Sequence, residues 1–178
     1  MSRNLLLKIH LYLSAFFAPY LLLMAFTGTS YLFGFKGSET KELVKTIEFS
    51  GEEIALDNAF VRQNMSEIDG SYSFETVKES GTLATTRPAT RQYYSFEKKG
   101  EQILVNKVYP NLLKRLIEAH KGHGPALLKS FEKLMGFSLI LILISGIWLA
   151  LSLKRDSKQT WILMTIGGIS FLTLFLSL

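Results

Sequence analysis

Three stretches without a single Asp, Glu, Lys or Arg govern what this chain can become. Residues 9–35, 134–153 and 159–178 run for 27, 20 and 20 positions with no formal charge. At 1.5 Å per residue, each is long enough to cross ~30 Å of hydrocarbon as a helix. Across the 178 residues, 48% are hydrophobic and 20% are charged. A single soluble domain can carry that mix when it is evenly spread. Segregated as it is here, it predicts three membrane spans around one water-facing insert. A secretory signal peptide competes for the first stretch, because Arg3 and Lys8 precede it. The apolar run is much longer than the ~7–15 residues of a signal core, so an uncleaved anchor is expected. Pro19 inside that span removes one helix hydrogen bond and predicts a kink.

Charge bias sets the expected orientation. Ser2–Lys8 carries two basic residues and no acid, and Lys154–Lys158 carries three basic and one acidic. The segment 36–133 is nearly balanced, with 15 basic and 14 acidic residues. Basic excess in short loops favours the cytoplasmic side. The N-terminus and the Lys154–Lys158 loop are therefore expected inside. The insert and the C-terminus are expected outside, in the periplasm or extracellular space of a multi-pass protein of a bacterial inner membrane. Trp148 and Trp161 flank the inner loop as interfacial aromatics. The net charge of +5 arises beside the membrane, so it does not point to nucleic acid. Cysteine is absent, which excludes disulfides, thiolate metal sites, iron–sulfur clusters and thiol redox chemistry.

The insert reads as a small α+β unit. Residues 43–49 suggest a first strand, 50–53 a turn, and 55–65 a helix with Ile54, Leu56, Ala59, Phe60 and Asn64 toward one face. Four β-like runs follow, led by Tyr72, Phe74, Thr76 and Lys78, then 82–86, 92–96 and 102–108. They are separated by Ser80-Gly81, Arg87-Pro88 and Lys98-Lys99-Gly100-Glu101. Phe60, Phe74, Tyr94, Phe96, Ile103 and Val105 are the expected core. An amphipathic interfacial helix should start after an Asn111 N-cap, with Leu112, Leu113, Leu116, Ile117 and His120 on its apolar face. Lys114, Arg115, Glu118 and Lys121 should face elsewhere, and the helix should end at Gly122 or Gly124. The resulting segments are 9–35, 36–109, 110–124, 131–153 and 159–178.

Chemistry-bearing residues are few. The three histidines are His10, His120 and His123. His10 opens the first span, while His120 and His123 precede the second. A span of 27 residues is on the order of 40 Å long, so His10 cannot share one metal with the other two in one chain. Neutral imidazoles beside membrane helices suit axial ligation of a b-type haem. The plainer alternative makes His10 an interfacial residue and 121–124 a polar loop. His120 with His123 also suggests half of a zinc or copper site. Glu52, Glu53 and Asp57 form an acidic group that a helix N-terminus explains by itself. No catalytic motif is present, and no residue is singled out as catalytic. Ser145-Gly146 and Gly167-Gly168 suit helix contacts. Phe26-Thr27-Gly28-Thr29 is echoed by Ile144-Ser145-Gly146-Ile147.

These pieces resemble the PepSY-associated transmembrane family. The first span begins with Lys8-Ile9-His10-Leu11 and closes with Thr27-Gly28. The segment Leu116-Ile117-Glu118-Ala119-His120-Lys121-Gly122 precedes a span closing in Ser145-Gly146-Ile147-Trp148. The resemblance implies a membrane α-helical protein with three transmembrane helices and a small α+β PepSY-like external domain inserted between helices 1 and 2. Larger members are inner-membrane reductases of iron–siderophore uptake that hold b-type haem through histidines at span ends. It therefore implies a haem-binding electron carrier or reductase-like component, with His10, His120 and His123 toward haem b. The chain has three spans rather than four or more, and no histidine within the second or third. A complete pair of ligands would need a homodimer or a larger membrane complex. The alternative is a non-enzymatic accessory or regulatory subunit whose external domain binds a partner complex.

Overall fold

The computed structural model describes residues 3–49 and 55–178. In chain order the elements are α1 (Arg3–Leu32), β1 (Glu39–Glu48), α2 (Asn58–Ile68), β2 (Thr76–Ser80) and β3 (Leu83–Arg87), then β4 (Tyr93–Lys99), β5 (Gln102–Pro110), α3 (Leu112–His120), α4 (Ala126–Leu151) and α5 (Ser157–Leu176). Three of these helices, α1, α4 and α5, are long and apolar enough to cross a membrane. The protein is thus a membrane helical protein with a small antiparallel sheet. Residues 1–21 with 133–178 form one compact unit, and 22–132 form the other.

In the first unit most large apolar side chains are exposed, with Phe17 buried. Buried residues are absent from α5, and Trp161, Leu163, Phe171 and Leu174 are all exposed. A helix that is apolar all round is suited to lipid rather than to water. The buried residues of α4 are both small and hydroxylated, Ser138 and Ser145. Seven residues apart, they share one face, and small residues let helix backbones approach closely. All three charge-free runs understate their helices at the N-terminal end, the first two most. Helix α1 already starts at Arg3 and α4 at Ala126, because polar flanking residues continue a helix as readily as apolar ones do. Helix α1 runs unbroken past Pro19.

Helix α1 ends inside the second unit. Gly34 sits at φ +86°, and Phe35 N–H donates to Ser30 O at 2.9 Å. That is a Schellman turn, and it stops the helix three residues short of Phe35. The sheet that follows is antiparallel throughout, in the order β1-β5-β4-β3-β2. Both of its tight hairpins, at Gly81 and Gly100, place a glycine at φ +60°, where a side chain would be strained. Tyr72 and Phe74 precede β2 rather than lie in it, and their stacked rings cap the core instead.

One sheet face carries Ala84, Tyr94, Phe96, Ile103 and Val105, covered by Leu56, Val61 and Met65. Of the stripe expected from sequence, Leu56 is buried and Phe60 packs against the core, but Ala59 is exposed, and within α2 the buried residues are Val61 and Met65. The Asp57 side chain accepts from Phe60 N at 2.8 Å and caps the helix, so the helical turn begins at Asn58. Ile54, Glu52, Glu53 and the expected turn at 50–53 lie outside the described residues. Strand alternation turns Leu83, Thr85, Arg87 and Tyr93 to the opposite face, where α3 lies.

Candidate functional sites: two histidine clamps and a charged pocket

Two histidines are seated by the same device. In the unit of residues 22–132, His120 is the last residue of α3, and its Nδ1 lies 2.9 Å from Thr27 Oγ1. Thr27 is buried, with its hydroxyl 2.9 Å from Leu23 O and 3.1 Å from Met24 O of its own helix. With the hydroxyl proton given to one of these carbonyls, Oγ1 accepts from the Nδ1–H tautomer of His120. A neutral ring held this way carries its lone pair on Nε2. Gly28 follows, and a Cβ there would lie 3.2 Å from His120 Cε1.

The unit of residues 1–21 and 133–178 repeats the arrangement. His10 Nδ1 lies 3.0 Å from Ser145 Oγ and 3.2 Å from Ile142 O, and the Ser145 hydroxyl donates to Ile142 O at 3.0 Å. The carbonyl requires Nδ1 to be the donor. A Cβ on the next residue, Gly146, would lie 3.2 Å from His10 Cε1. Among the described residues, no protein hydrogen bond reaches Nε2 of either ring. The echo between Thr27-Gly28 and Ser145-Gly146 thus corresponds to two matching histidine seats, each built across helices distant in sequence.

Surroundings differ between the two. A cavity of about 140 Å³ adjoins His120, lined by Thr27, Gly28, Tyr31, Ile117 and Lys121. A larger apolar groove of about 640 Å³ runs past Ser145, between Leu6 and Ile9 of α1 and Leu141, Ile144 and Trp148 of α4, with Arg3 at its rim.

His123 belongs to a different group. Gly122, at φ +71°, ends α3 in a second Schellman turn, and His123 N–H returns to Glu118 O at 2.9 Å. Its side chain then meets the same residue, Nδ1 to Glu118 Oε2 at 2.5 Å, while its carbonyl accepts from Ala89 N at 3.0 Å. His120 and His123, three positions apart, therefore bond different partners, Thr27 and Glu118. Glu118 is buried, contrary to the polar-side position expected from helical periodicity. The reason is charge: Arg87 at 3.4 Å, Lys121 at 3.3 Å and Lys114 at 3.6 Å all reach its carboxylate. Burial alone would raise the Glu118 pKa, but the His123 hydrogen bond and the Lys121 and Lys114 charges outweigh it and hold it at about 2. Burial pushes the His123 imidazole below its ordinary value, helped by the Arg87 and Lys78 charges and opposed by Glu118.

Neither Arg87 nor Glu118 was a sequence candidate, and the only available hint was that Glu118 is the one acid near the two histidines. Among the described residues, no group of three or more His, Asp or Glu side chains converges as a metal site. Compared with protein-family models, with curated proteins and with solved structures, the chain matches none of them.

Proposed function

We propose that the protein is a haem-binding electron carrier or reductase-like component of a bacterial inner membrane, linked to iron (siderophore) uptake. The observation that carries this reading is the pair of histidine clamps. Each holds an imidazole through Nδ1 and would leave the Nε2 lone pair for a metal, as outer partners of metal-ligating histidines do. Haem b, when bound, supplies a one-electron couple. His10 and His120 would each offer one ligand, while the Thr27 and Ser145 hydroxyls hold the rings in one tautomer. Gly28 and Gly146 leave the space that the rings occupy. His123 is the lesser candidate, because its Nδ1 is held by a buried carboxylate in a charged pocket. With one imidazole per clamp, and only about 140 Å³ beside His120, a second ligand and a second wall would come from another copy of the chain or a larger membrane complex.

The same reading puts the N-terminus and the Lys154–Lys158 loop in the cytoplasm, and the PepSY-like domain and the C-terminus outside. A visible absorption spectrum of full-length protein, expressed with ample haem, tests it. Sharp reduced bands of six-coordinate haem are expected. His10→Ala and His120→Ala should each remove one population, and His123→Ala should do less. Colourless protein overturns the haem reading. The second reading, an accessory subunit whose external domain binds a partner, is favoured by the single imidazole in each clamp.

A further inference from the structure

The α3 face of the sheet holds a pocket of about 290 Å³ whose wall is unevenly charged. Lys78, Arg87, Lys114 and Lys121 face it, against the carboxylates of Glu39 and Glu118. Glu118 already receives Arg87, Lys114, Lys121 and His123, so one negative charge answers three fixed positive ones. Glu39 sits 3.6 Å from Lys114, a cation that Glu118 also engages. No carboxylate among the described residues pairs with Lys78. Two positive charges are left over: Lys78 and Lys121 are exposed at the pocket's mouth, beside an Arg87 side chain that is only 12% exposed and paired with Glu118. This surplus gives the pocket a positive potential that favours a bound anion. The volume corresponds to about ten waters at ~30 Å³ each, enough for a phosphate or carboxylate with part of the molecule that bears it. Ammonium groups on flexible stems and a guanidinium are the donors that recognise such oxyanions.

We propose that this pocket is a binding site for a small anion carrying a phosphate or carboxylate group, engaged by Lys78 and Lys121 above the Glu118–Arg87 pair. The site is independent of the haem reading. Its ligand has two possible sources, a soluble anion or an anionic lipid headgroup. The second source has a route on the page, because Lys121 Nζ also lies 4.8 Å over the ring of Tyr31, near the end of α1.

The test uses the full chain in phosphatidylcholine nanodiscs at constant ionic strength, titrated calorimetrically with inorganic phosphate and, separately, with citrate. A parallel set of discs contains phosphatidic acid, with thermal stability as the readout. Lys78→Gln should fold normally, since no ion pair is lost, and should weaken anion binding about tenfold, the loss of one charge-assisted contact. Thr85→Glu places a carboxylate in the pocket and should abolish binding. Saturable binding of phosphate or citrate that both variants weaken supports a soluble anion. Stabilisation by phosphatidic acid alone, lost in both variants, supports a lipid headgroup. Absence of both effects in the parent protein overturns the proposal, as does binding that neither variant alters.

Discussion

At the scale of single residues, two hydroxyls decide what two histidines can do. Thr27→Val keeps the shape of the side chain and removes the one acceptor that His120 Nδ1–H has among the described residues. Nitrogen NMR of the imidazoles should then show the Nδ1–H form of His120 giving way to a tautomer mixture, whereas Thr27→Ser should preserve it. Under the haem reading, the same variant should lower cofactor affinity roughly 10–100-fold. Gly28→Ala and Gly146→Ala should each displace a ring by a few tenths of an ångström, because both new methyl groups would stand 3.2 Å from a histidine carbon. The histidines and the two hydroxyl–glycine pairs were legible in the sequence, down to their mutual likeness. Which histidine meets which pair was not. His10 joins Ser145 and His120 joins Thr27, and spacing along a chain says nothing about contacts made across helices.

Among the elements, the sheet, α2 and the Asn111-capped start of α3 were legible because alternation, turn and capping residues are local signals, whereas the residues that α2 and α3 bury were not. Helical periodicity assigned Glu118 to the polar side of α3, yet the carboxylate is buried against Arg87 from β3 and His123 beyond the helix end. Periodicity cannot register a cation brought in by a strand. The pH dependence of stability follows from this group, in which Arg87, Lys114, Lys121 and His123 face Glu118. Both folded-state pKa values are depressed, so both groups contribute stability at neutral pH that is lost as pH falls. The His123 contribution should fade first, below its ordinary value of 6.5, and that of Glu118 between about 4.5 and about 2. For Glu118 the loss is roughly 2–3 kcal/mol. Melting curves at pH 7, 5.5, 4 and 3 should fall monotonically, and Glu118→Gln should flatten the most acidic part. In the core, Phe96 is fully buried and meets Phe60 edge-on at 6.4 Å. Phe96→Ala should cost roughly 3–5 kcal/mol, and the partly buried Phe60 about half as much, as measured by protease resistance of the sheet unit.

For the whole molecule, three apolar helices define a membrane protein, and the orientation proposed for it rests on the charge bias of the short flanking segments. A reporter fused after Lys158 should be active only in its cytoplasmic form, and one placed in the Gly100 hairpin only in its external form. The reverse pattern would invert the orientation. The pairing of the first strand with the last has a consequence in time. Glu48 finds its partner in Gln102 and Glu39 in Pro110, roughly 50 to 70 residues later. At synthesis rates of about 5–20 residues per second, β1 waits roughly 3 to 14 s for its only neighbour. During that interval it is an unpaired strand emerging beside a membrane. Its alternating Glu39, Lys41, Glu42, Lys45 and Glu48 make it a poor template for a wrong partner until the right one has been made.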